Sequence, residues 1–208
     1  MIYNAIILIL KNIVQKSLIH EYDIEMSILM SKIEPEGKSV VRTFRVDRAW
    51  DNAMQEEAEK RGIAISNLLE QVVKDYIHFY RWVDSFGSVI FSPNTIKTLV
   101  DELSEESLKL IGERVGKTST IEGFLLKGEI IDREIAIYQI VEQMGHYSHW
   151  FTATAHDSDK PYLYIQHSLG PKWTTFIEAY ISSFYSNVLD IKVKSQRIGD
   201  NLVIRIVE

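Results

Sequence analysis

Four of the chain's six histidines fall in one stretch: His146, His149, His156 and His167. If WFTATAH (150–156) and YLYIQHS (162–168) form a hairpin around the turn DSDKP, His156 faces Tyr162 and Phe151 faces His167. His149 and His167 then share one face as diagonal neighbours, with His156 on the other. Two imidazoles on one face can hold zinc, nickel or copper. The more economical reading makes them hydrogen-bonded histidines of an aromatic-rich sheet, and which metal, if any, they would hold is unknown. Aromatic residues are dense here, and His149, His167, Trp173 and Tyr164 are candidates for lining a small-molecule pocket with polar handles. No nucleophile, base and orienting acid stand at a recognisable spacing, so the sequence does not read as an enzyme and requires no cofactor.

Several elements must position these residues. Pro171 opens a helix whose row is Trp173, Phe176, Ile177, Tyr180, Ile181, Phe184 and Val188. Ile191 to Arg197 and Leu202 to Val207 read as a second hairpin across Gly199-Asp200-Asn201. Upstream, Ser92-Pro93 starts a helix with Ile96, Leu99, Val100 and Leu103. Ser104 starts another through Leu108, Ile111 and Val115, ending at Gly116. Asp132 to Met144 is a further amphipathic helix, and SVIF (88–91) a short strand. Gly112 to Thr118 approximates a phosphate-binding loop, but the spacing is one residue short and a helix precedes it where a strand is required. Residues 88–208 are therefore expected to form an α+β domain of helices on an antiparallel sheet, with a regulatory or oligomerising role. Glu178, amid the apolar row, is expected in solvent.

The second constellation lies in residues 40–80. Val41 to Val46 alternates, with Phe44 and Val46 on one side and Thr43 and Arg45 on the other. Asp47 stands at a helix N-cap position, before a helix Arg48 to Arg61 carrying Trp50, Met54 and Ala58. Gly62 suits its C-terminus. Ile65, Leu68, Leu69, Val72, Val73, Tyr76, Ile77 and Tyr80 repeat at three and four, a second helix. Trp50, Met54 and the Leu68-Leu69 row are expected in the core. One six-residue strand cannot stand alone in water, and the same strand of a second chain is the simplest partner. Such a ribbon exposes Thr43 and Arg45 twice over.

On these residues, 40–80 resembles a ribbon-helix-helix DNA-binding domain, found in many bacterial and archaeal repressors. The matching features are Arg42-Thr43-Phe44-Arg45-Val46, the Asp47 cap, Trp50, and Gly62-Ile63-Ala64-Ile65-Ser66 before Leu68-Leu69. The resemblance implies a homodimer with its two-stranded ribbon in the major groove of double-stranded DNA. It implies Thr43 and Arg45 as base readers, Val41 and Arg42 flanking them, and the amides of Ala64, Ile65 and Ser66 as phosphate clamps. The family usually has Ser or Thr two residues after the glycine, whereas this chain has Ala64. The clamp then uses Ser66 as cap, or backbone alone. Nickel-responsive regulators of the family also use cysteine ligands, and this chain has none.

The net charge of −6 excludes an abundant, non-specific coating protein of DNA. Cations nevertheless cluster at Lys38, Arg42, Arg45 and Arg48, and local potential governs phosphate contact. The absence of cysteine excludes disulfides and agrees with a reducing cytoplasm. The apolar run Ala5 to Leu10 is too short to span a bilayer, so no membrane is expected. Residues 1–37 read as a flexible arm, with Met30 an alternative start. Residues 38–83 read as the dimerising, DNA-binding domain. The expected function is a sequence-specific transcriptional regulator. The alternatives are a sensor binding a metal ion or aromatic small-molecule effector in the C-terminal domain, and an antitoxin-like protein-interaction module.

Overall fold

A computed structural model describes residues 37–83, 89–127, 131–156 and 161–207, without the side chains of 119–127. The fold is mixed: helices pack on a four-stranded antiparallel sheet of order β1-β2-β4-β3. Among the described residues no helix is long and apolar enough to cross a membrane. The apolar run Ala5 to Leu10, the arm 1–36 and Met30 lie outside the described residues.

Helix α1 (Arg48–Arg61) begins where Asp47 Oδ1 accepts the Ala49 amide at 2.8 Å. It ends at Gly62, whose φ of 65° a side chain would resist. Helix α2 (Ile65–Asp75) runs on through a wider π-helical turn, Tyr76–Tyr80, into Arg81–Val83. Helix α3 (Pro93–Asp101) starts at Ser92, whose Oγ accepts the Thr95 amide, with Pro93 in the first turn. Residues 89–91 are not a strand, which corrects the expectation for 88–91 over the described part. They have no ladder to join.

Helix α4 (Glu105–Lys127) passes straight through Gly116, so the expected end there is wrong. The two glycines serve close approach instead. A Cβ on Gly112 would stand 2.6 Å from the Phe176 carbonyl, and one on Gly116 would overlap the Tyr180 carbonyl. Ser183 Oγ donates to the Glu113 carbonyl at 2.6 Å across the same seam. The near-match to a phosphate loop is thus a helix-packing stripe, one helix turn from glycine to glycine.

Helix α5 (Arg133–Tyr138), capped by Asp132 Oδ1 on the Ile135 amide, continues as π-helical Gln139–Tyr147. The strands are β1 (Thr152–His156), β2 (Tyr162–Gln166), β3 (Lys192–Ile198) and β4 (Asn201–Val207). Helix α6 (Pro171–Val188) lies between sheet and helices, with eleven of its eighteen residues buried. That breadth of burial marks a helix covered on more than one side. Ile177, Ile181, Phe184 and Tyr185 meet Leu163, Ile165, Leu202 and Ile204 of the sheet, and Ala136, Ile140 and Met144 of α5, in one core. Lys172 Nζ donates to the Asp101 and Leu103 carbonyls, tying the start of α6 to the end of α3.

Candidate nucleic-acid interface

Residues 38–46 form neither helix nor ladder in the single chain, and every side chain among them is exposed. The expected strand Val41 to Val46 is therefore not formed here, and no described strand lies alongside to pair with it. Phe44 is 69% exposed and Trp50 68%, which corrects the expectation of a buried Trp50. Only Ala58 and Leu68 are fully buried hydrophobics in α1 and α2, while Met54 and Leu69 are half-buried. Lys38, Arg42, Arg45 and Arg48 have no ion-pair partner among the described residues, although an Arg42 guanidinium N–H lies 3.4 Å from its neighbour Val41's carbonyl. Cations left unpaired on an exposed arm keep their full attraction for phosphate. Thr43 and Arg45 are exposed among them, flanked by Val41 and Arg42.

The start of α2 shows where the cap lies. Ala64 holds the N-cap position with extended backbone and no side-chain cap. Asn67 and Leu68 bond back to the Ala64 carbonyl, and the amides of Ile65 and Ser66 have no intrahelical partner. Ser66 lies inside the helix, not at its cap.

The proposed pocket residues do not converge. Trp173 is buried, donates Nε1–H to the Trp150 carbonyl at 3.1 Å, and packs with Trp150 and Phe176. His167 sits below it in the α6 entry loop. Its Nδ1 accepts the Leu169 amide, so Nε2 carries the proton toward Thr174 Oγ1 at 3.0 Å. Burial pushes the His167 pKa below its ordinary value, against a smaller opposing pull from Asp200. Tyr164 points to the other side of the sheet, since its neighbours Leu163 and Ile165 face the core. His149 is exposed at a φ of 53°, where the chain turns into β1. Among the described residues no three His, Asp or Glu gather as a metal site. The expected facing of His156 and Tyr162 is present, with rings stacked at 4.5 Å.

Comparison with protein-family models, with curated proteins and with solved structures finds no match for this chain.

Sequence reasoning missed two features. Glu178 is half-buried and paired rather than free in solvent: it accepts from Ser195 and pairs with Arg197, whose guanidinium also reaches Thr175 Oγ1 at 3.1 Å. Its position on α6, opposite the inward side of β3, was the signal. The second is a junction between α2 and α5. Gln143 is buried, and its amide donates to the His78 carbonyl and the Tyr138 hydroxyl, both at 3.1 Å. Tyr147 stacks on Phe79 at 5.5 Å, and burial pushes its hydroxyl up to about 12. Both partners are π-helical, a widening that turns side chains and frees carbonyls in ways a 3.6-residue repeat does not announce.

Proposed function

We propose that this chain is a sequence-specific DNA-binding transcriptional regulator that acts as a homodimer through residues 38–83. The observation that carries the reading is the unpaired arm 38–46. Its last four residues, Thr43 to Val46, alternate polar or cationic with apolar, and it leads directly into a two-helix unit whose apolar face no described residue covers. A second copy pairing with the arm would cover Phe44 and Val46 against the helices, together with part of the exposed row Trp50, Val72, Val73 and Tyr76. The paired ribbon would present Thr43 and Arg45 to base edges in the major groove, with Lys38 and Arg42 near phosphates and the amides of Ile65 and Ser66 on a further phosphate.

The test is selection of bound sequences from a random duplex pool, together with sedimentation of the free protein. A dimer and an enriched motif are expected. Arg45→Ala should weaken binding to that motif by about 1–3 kcal/mol and relax preference at one position. Lys38→Ala should weaken all sequences alike and lower the salt slope by about one. A folded monomer at micromolar concentration, or no enrichment, ends this reading.

A further inference from the structure

The sheet has two unlike faces. Toward α6, Leu163, Ile165, Leu202 and Ile204 are buried, and the one cation among the described strand residues on that side, Arg197, is paired with Glu178. On the opposite face every described strand residue is exposed or half-buried. Cross-strand register places His156, Tyr162, Arg205 and Lys194 in one row across all four strands. The next row is Thr154, Tyr164, Val203 and Gln196. Lys192 pairs with Val207 beyond the first row. No described residue on this face is acidic, although the chain carries a net charge of −6. Lys192, Lys194 and Arg205 are exposed and have no ion-pair partner among the described residues.

We propose that this open sheet face binds single-stranded nucleic acid, with Tyr162 and Tyr164 as stacking rings and Arg205, Lys194 and Lys192 as phosphate contacts. The geometry separates a single strand from other anions. Tyr162 and Tyr164 lie two residues apart on one strand, about 6.7 Å, and adjacent strands bring the cations within about 5–10 Å of the rings. An anionic protein surface would need the cations but not the rings. A duplex keeps its bases stacked inside and offers such rings nothing to stack on, whereas an unpaired strand offers both a base face and a phosphate at each step. His156 stacked on Tyr162, and Gln166 Nε2 donating to the Tyr164 hydroxyl at 2.9 Å, hold both rings in place before any ligand arrives. The inference does not depend on the arm's binding duplex DNA.

The experiment is fluorescence anisotropy of the full chain with labelled oligothymidylate, labelled oligouridylate and a duplex of equal length. Micromolar binding of a single strand is expected, and the tighter of the two single strands identifies DNA or RNA as the ligand. Replacing both tyrosines with Leu should weaken it tenfold or more, while replacing both with Phe should keep it within about twofold, because the ring rather than the hydroxyl does the stacking. Lys194→Gln, an exposed change that spares the core, should weaken binding a few-fold and lower the salt slope by about one. The proposal is overturned if no single strand binds, if binding ignores both the tyrosine and the lysine changes, if the duplex displaces the strand at equal concentration, or if Arg45→Ala abolishes binding and so places the strand on the arm.

Discussion

The two ends of the molecule solve burial in opposite ways. In residues 37–83, two short helices bury Ala58 and Leu68 and leave Phe44, Trp50, Val72, Val73 and Tyr76 exposed. In residues 89–207, one helix is wrapped by a sheet on one side and by α4 and α5 on others, and its largest side chains are closed off from water. The C-terminal region has its complement within the same chain. The N-terminal region leaves an apolar face that no described residue covers. The Asp47 cap and Gly62 fix both ends of α1 locally, whereas Ala64 gives α2 no side-chain cap.

The sharpest way to break this contrast is to truncate one phenylalanine in each region. Phe184→Ala should cost about 3–5 kcal/mol by chemical denaturation, independent of protein concentration. Phe44→Ala should act chiefly on association, with a loss that grows on dilution. A concentration-independent loss at Phe44 would mean that it finds cover within one chain. Next in size, Gly116→Ala forces a methyl into the Tyr180 carbonyl, and we expect about 1–3 kcal/mol of destabilisation with α4 displaced from α6. An unchanged melting temperature would mean that the seam is looser than described.

A smaller effect of opposite sign tests whether the C-terminal core is as closed as it looks. The Tyr185 hydroxyl is buried without a hydrogen-bond partner among the described residues, and burial pushes its pKa up to about 12. Tyr185→Phe should therefore leave stability unchanged or raise it by about 1 kcal/mol. A clear loss would reveal a partner for the hydroxyl. The smallest effect is the pH dependence from His167. Its folded pKa lies below the ordinary 6.5, so the unfolded chain takes up the proton first as pH falls. The stability it contributes is present above 6.5 and is lost as pH drops through the depressed folded value. Against His167→Gln, the parent should lose more stability on acidification, and parallel denaturation curves would remove His167 from that role.

Much of the C-terminal fold was legible because each boundary has a local chemical cause. Ser92-Pro93, Asp132 and Pro171 start helices at the expected residues, and the hairpin register at His156 and Tyr162 follows from strand alternation. The misreadings share one origin. Gly116 reads as a helix end when only its own segment is considered, yet the reason for glycine there is the Tyr180 carbonyl, far along the chain. Glu178 reads as solvated until β3 supplies Arg197. Trp50 reads as buried because a hydrophobic pattern reports what could be covered, not what covers it. The aromatic pocket failed for a similar reason: Tyr164 and Trp173 are both aromatic and close in sequence, but strand alternation puts a sheet between them.

The continuity of α2 into its π-helical end sets how motion would pass through the molecule. From Ile65 to Val83 the chain stays helical, and its last turns are held by Gln143, Tyr138 and Tyr147. The helix is thus a strut clamped at its far end, not a domain on a string. Any tilt imposed where α2 begins would arrive at α5 as a displacement of a buried amide, and any repacking around Gln143 would shift the start of α2, about 20 Å away at about 1.5 Å of helix per residue from His78 back to Ile65.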